Sequence, residues 1–173
     1  MYSFKYLSFS IFIIYSLFKF QQISTKNKLN INIFNYNMAS MDKEEKRKKL
    51  IFKFNIVVEG MIKHIVDKYK DPQFSKIKMI FDIFVSQHSK DPINMFLKKV
   101  YSNDKYRHNL LEENEEFFMN NNYDDVPEED KNDAFKYIFH FKELWQQISP
   151  DTKIYIKKSM YVLVKICEEY LLV

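Results

Sequence analysis

Four histidines, a single cysteine and a run of glutamates are the residues of this 173-residue chain whose types could carry chemistry. Two histidines three or four residues apart on a helix would set both imidazoles on one face, the arrangement that holds zinc. His64, His88, His108 and His140 fall instead in four different predicted helices or at their ends, and no two have that spacing. His64 and Asp67 do share a helical face, where they read as a solvent-facing pair rather than as metal ligands. Glu112, Glu113, Glu115 and Glu116 offer carboxylates for a cation. Helical geometry splits them around the axis, and the alternating oxygen ligands of a calcium loop are missing, so a solvated acidic face is expected.

Cys167 is the one cysteine, which rules out an internal disulfide or a cysteine-based zinc site within one chain and suits a reducing compartment. Its neighbours Glu168 and Glu169 are acidic and give a thiolate no support. It is expected as a small hydrophobe on the packed face of the last helix. The sequence holds no glycine-rich phosphate loop, no serine elbow and no cysteine pair. These readings single out no catalytic, cofactor-binding or metal-ligating residue, and the expectation is a protein that is not an enzyme and uses no cofactor.

For nucleic acid, the relevant stretch is KEEKRKK at 43–49. Lys46, Arg47, Lys48 and Lys49 are consecutive, so they spread around a helix instead of lining one side, and Glu44 and Glu45 dilute them. From Glu112 to Asp130 there are nine acids and no base, a segment that would repel a phosphate backbone. Nucleic acid is therefore not expected as a partner. The acidic stretch could instead lie against the basic first helix, within the fold or across a symmetric dimer.

The elements that position these residues are helical. Gly60 is the one glycine and the four prolines are widely spaced, far too little punctuation for a sandwich or barrel of this length. A first helix is predicted over Asp42 to about Tyr69, with Leu50, Phe54, Val57, Met61, Ile65 and Tyr69 on one face. Asp71-Pro72 should stop it and start the next, the acid accepting amide hydrogens and the proline needing none. The second helix buries Phe74, Ile77, Phe81, Phe84 and Val85. Asp91-Pro92 repeats the start signal for a third, with Ile93, Phe96, Leu97 and Val100 inward. A fourth runs roughly Lys105 to Met119, and 120–130 reads as a loop. The fifth, about Glu128 to Ile148, presents Ala134, Ile138, Phe141, Trp145 and Ile148. Ser149-Pro150-Asp151 then caps a last helix that buries Ile156, Met160, Leu163, Cys167 and Tyr170. The fold class is all-α, a compact bundle of five or six amphipathic helices in one domain over 42–173.

Residues 1–41 read as a poorly structured or apolar leader. Between Met1 and Asn37 there is no Asp, Glu, Gly, Ala, Val, Pro, Arg, Cys, His or Trp, the composition of AT-rich upstream DNA read in frame, and Met38 or Met41 reads as the native start. Four of the 27 basic residues lie in this stretch and none of the 23 acids, so the net charge of +4 belongs to the leader and the remainder is neutral. If translated, the 13 uncharged residues 6–18 between Lys5 and Lys19 have the layout of a signal or anchor, although a bilayer span wants about 20. Membrane contact is expected only with this leader retained.

Two stretches carry a resemblance. VYSNDKYRHNLLEENEEFFMNNNYDD at 100–125 and FKELWQQISPDTKIYIKKSMYVLVKICEEY at 141–170 are similar to segments of small helical proteins encoded by the giant nucleocytoplasmic DNA viruses, the mimivirus-like group. The shared pattern is an aromatic helix ending in Leu-Trp, a Ser-Pro cap and a final amphipathic helix. The resemblance implies a viral accessory protein made in infected-cell cytoplasm, and it carries over no catalytic residue. The function expected is a non-enzymatic helical protein that binds a partner protein or a second copy of itself through a groove between helices or the 120–130 region. The alternative is a membrane-tethered or exported protein that uses residues 6–18.

Overall fold

The computed structural model describes residues 42–122 and 131–173, with side chains for 42–122 and 138–173. The expected leader, the 123–130 part of the expected loop, the start of the fifth helix before Lys131, and the Ala134 side chain lie outside these limits. Every regular element among the described residues is helical: α1 Lys43–Tyr69, α2 Pro72–Gln87, α3 Asp91–Phe96, α4 Asp104–Leu111, α5 Glu115–Asn120, α6 Lys131–Gln147 and α7 Pro150–Leu172.

Local chemistry explains most of the boundaries. Asp42 caps α1 by accepting from the Glu45 amide at 2.8 Å, and Lys70, at φ 54°, closes the far end. Asp71 Oδ1 accepts from the amides of Gln73 and Phe74, with Pro72 in the first turn of α2. Ser149 and Pro150 do the same for α7. Asp91 departs from its expected role. The backbone is already helical at Lys90, so α3 starts one residue early without a side-chain cap, and the Asp91 carboxylate faces the His88 ring at 3.7 Å. Leu97–Tyr101 continues α3 as one wide turn, with the Ser102 amide reaching back to the Leu97 carbonyl at 3.0 Å.

The fourth expected helix is two. It breaks at Glu112–Asn114, where Glu113 takes φ 51° and Asn114 caps α5 by accepting from the Phe117 amide. Asn114 also donates to the Asn109 side chain at 2.7 Å, so two asparagines supply the turn with the hydrogen bonds a continuous helix would have made.

One contiguous apolar cluster collects side chains from α1 to α4, α6 and α7, with Phe117 and Phe118 of α5 against its edge. The inward stripes hold: Leu50, Phe54, Val57, Met61 and Ile65 on α1, Ile138, Phe141, Trp145 and Ile148 on α6, and Ile156, Met160, Leu163 and Cys167 on α7 are buried. Phe84, Val85, Leu97, Tyr69 and Tyr170 are only half-buried. α1 packs along both α2 and α7, and it buries more than one stripe because it has neighbours on two sides. Phe54 meets Phe96 edge-on at 5.5 Å, the geometry ring quadrupoles favour. Cys167 is buried, and burial pushes its thiol pKa up, which disfavours the thiolate.

Candidate functional site

The structure disperses the sequence's candidate ligands. His88 lies against Phe84, His108 is exposed, and His140 stacks on Phe74 while Asp71 Oδ2 accepts from its Nε2 at 2.9 Å. Asp71 thus uses one oxygen to cap α2 and the other to hold α6. His64 does not face solvent beside Asp67 as expected. Asp67 pairs with Lys63 at 2.9 Å, and His64 turns inward to put Nε2 at 3.1 Å from Thr152 Oγ1. Among the described residues no three His, Cys, Asp or Glu side chains are grouped to hold a metal.

His64 belongs to a polar junction between the end of α1 and the start of α7. The Lys68 ammonium donates to Ser149 Oγ at 2.7 Å and Thr152 Oγ1 at 2.8 Å, and Tyr69 donates to Thr152 Oγ1 at 3.1 Å. The Ser149 amide in turn donates to the Tyr69 oxygen at 2.9 Å. Burial, assisted by the Lys68 charge, lowers the His64 pKa to about 4. Burial alone would raise the Tyr69 phenol, but its bonds to Ser149 and Thr152 and the Lys68 charge outweigh that and hold it below its usual range. A lysine beside a serine invites comparison with a nucleophile and its base. Here both hydroxyls accept from the ammonium, and Thr152 is fully buried. A hydroxyl that accepts from a cation is not being deprotonated by it, so the arrangement caps α7 and pins it to α1.

A second junction overturns the expectation of an all-solvated acidic face. Glu112, Glu113 and Glu116 are exposed, but Glu115 turns toward α6 and α7. Its Oε1 accepts from Trp145 Nε1 at 2.6 Å and from Lys153 at 3.0 Å, and Lys157 lies 3.9 Å from Oε2. Burial would raise its pKa, but the indole and the two lysines prevail and hold it below the usual carboxylate range. Of the acidic segment, Glu115 thus meets lysines of α7, while Lys48, Lys49 and Lys63 on α1 each pair with an acid of their own helix; the acids at 124–130 lie outside the described residues. Beside Glu115 a cavity of about 30 Å³ opens between Leu110, Phe118, Phe141 and Met160, with room for little more than water.

The larger opening lies between α1 and α2. Ile51, Phe52 and Ile56 on α1 face Phe81 and Val85 on α2 across a groove of about 460 Å³. Phe52 is 63% exposed, a large ring left in water on a helix whose other side is core. Lys48 stands at one end, and Glu59 and Asp82 at the other, where the Lys78 ammonium bridges the two carboxylates. Between them Asn55 is nearly buried. Its Nδ2 donates to the Ser89 carbonyl at 2.7 Å, while Oδ1 is buried and has no hydrogen-bond partner among the described residues. Sequence reasoning missed this site. The signal was present as apolar residues off the main stripe of α1, at 51, 52 and 56, which have no place in a single inward face.

Among the described residues no helix is long and apolar enough to cross a membrane. No protein-family model matches the chain, and no curated protein or solved structure matches it either.

Proposed function

We propose that the chain is a non-enzymatic helical interaction protein, a viral accessory protein of the giant-virus type, that docks an apolar helix in the groove between α1 and α2. The observation that carries this reading is the groove with Phe52 standing exposed at its wall. Helix-in-groove recognition needs a cleft that accepts side chains at i, i+3, i+4 and i+7, and an aromatic on the receiving wall is the residue type that most often dominates such binding. The charged groups at the two ends are paired, Lys48 with Glu44 and Lys78 with Glu59 and Asp82, so the apolar middle of the groove is the part that an apolar helix would meet. The viral assignment and a location in infected-cell cytoplasm rest on the two resembling stretches. The membrane-tethered alternative rests on residues 6–18, outside the described residues.

The test is fluorescence anisotropy of a labelled synthetic helical peptide, with leucines at i, i+3, i+4 and i+7 and lysines at its ends, titrated with the full chain. Phe52→Glu should weaken binding at least ten-fold. Ile154→Glu, which places the same charge at a half-exposed apolar position on α7 away from the groove, should leave it unchanged. Equal affinities for the two variants would overturn the reading.

A further inference from the structure

We infer that Asn55 sets the register of the docked helix: its Oδ1 accepts from one uncharged donor, a carboxamide or hydroxyl, carried among the apolar anchors of the partner. This rests on the α1–α2 groove being a docking surface and names the partner chemistry that fits it.

The first support is the amide itself. Asn55 is 7% exposed and is one of the residues that line the groove. Its Nδ2 is taken up by the Ser89 carbonyl at 2.7 Å, and Oδ1 is buried with no hydrogen-bond partner among the described residues. The bond to Ser89 also fixes which way round the amide stands, because exchanging its oxygen and nitrogen would set two acceptors against each other. What the position lacks is therefore a donor, and a ligand that supplies one gains a hydrogen bond in a site shielded from water.

The second support is the approach. A helical side chain leans over the turn that precedes it, which sets Asn55 beside Ile51 and Phe52. Ile51 is half-buried, but the Phe52 ring is largely in water and meets little resistance to turning. Its rotation would open a path from the groove to Oδ1.

The third support is the surroundings, which decide the class of donor. The groove charges are paired, Lys48 with Glu44 and Lys78 with Glu59 and Asp82, so they do not distinguish one register from the next. A lysine brought to Asn55 would leave water beside an acid, Glu59, that already meets Lys78. A carboxylate would set acceptor against acceptor. A wholly apolar helix fits Ile51, Phe52, Ile56 and Val85, yet a shift by one turn offers it similar contacts. One neutral donor facing Asn55 selects a single register, as a lone buried asparagine does in a coiled coil.

The experiment measures anisotropy of the synthetic helical peptide with Gln or Met in place of the leucine at i+3 or at i+4. Each peptide is titrated with the full chain and with its Asn55→Leu variant. Gln and Met are similar in length, so the pair differs mainly in the donor. At one of the two positions the Gln peptide should bind the original protein at least about five-fold more tightly than the Met peptide, and Asn55→Leu should reverse the order. Equal affinities, or a tighter Met peptide, at both positions would overturn the inference on the original protein alone. A Gln preference that survives in Asn55→Leu would overturn it too, by placing the acceptor elsewhere. Failure of the groove reading looks different: every peptide would then bind Phe52→Glu as well as it binds the original protein.

Discussion

Asn55 Nδ2 donates to the Ser89 carbonyl at 2.7 Å, tying the middle of α1 to the turn that follows α2 across 34 residues of sequence. Both residues line the groove, so the bond ties one wall of it to the turn that follows the other. The same side chain leaves Oδ1 buried and unmatched, a cost of about 1–3 kcal/mol that an apolar residue would not incur.

The Asn55 position should therefore respond asymmetrically to substitution. Asn55→Leu loses the bond to Ser89 but also removes the unmatched oxygen, and its unfolding free energy in urea should stay within about 1 kcal/mol of the original protein. Asn55→Asp sets a buried carboxylate against a carbonyl and should cost about 3 kcal/mol or more. A leucine variant as damaged as the aspartate variant would show that the amide is a structural requirement.

Glu115 and Trp145 supply a spectroscopic prediction. Trp145 is the one tryptophan, so its emission reports on the carboxylate that accepts from its indole. The folded pKa of Glu115 is depressed, so its stabilising contribution is complete above the ordinary carboxylate value near 4.5 and is lost as pH falls through the folded value. Below pH 4.5 the emission should shift and stability should decline, both less steeply in Glu115→Gln. Identical acid profiles for the two proteins would remove Glu115 from the account of the α5–α6 junction.

His64 acts in a different window. Its pKa is lowered from 6.5 to about 4, so between these values the unfolded chain binds more protons than the folded one. Stability is then complete above pH 6.5 and is lost as pH falls toward 4, by up to about 3 kcal/mol. His64→Gln should flatten this part of the profile, and denaturation at pH 7.0 and 4.8 measures the difference. A histidine resonance titrating near 6.5 in the folded protein and assigned to His64 would contradict the buried junction.

The aromatic core gives the largest expected effects. Phe54→Ala removes a fully buried ring from its contact with Phe96, and Trp145→Ala removes both packing and the bond to Glu115. Each should cost about 3–5 kcal/mol. Thermal melts read this directly, and an unchanged midpoint would place the residue outside the core.

What the sequence disclosed and what it concealed divide along a physical line. Caps and stripes are local, so Asp71, Ser149 and the α1, α6 and α7 faces could be read from spacing and side-chain type. Asp91 looked like Asp71 because both precede proline, yet a cap also requires an extended backbone at that residue, and the turn at His88–Lys90 had already made it helical. The break at Glu113 depends on a left-handed residue held in place by Asn109 and Asn114. Glu115 was one of four similar glutamates until Trp145 and Lys153, distant in sequence, were brought to it. The groove is the least legible feature, because it is defined by a partner helix beside residues that break the stripe of α1.

The most direct test of the docking groove is amide chemical-shift mapping of the isotope-labelled full chain during titration with the synthetic amphipathic helical peptide. The account predicts that the largest shifts fall on Ile51, Phe52, Ile56 and Val85, with small changes at His64, Thr152 and the rest of the α1–α7 junction. Shifts centred on that junction, or on α5 and its cavity, with the α1–α2 amides unmoved, would contradict it.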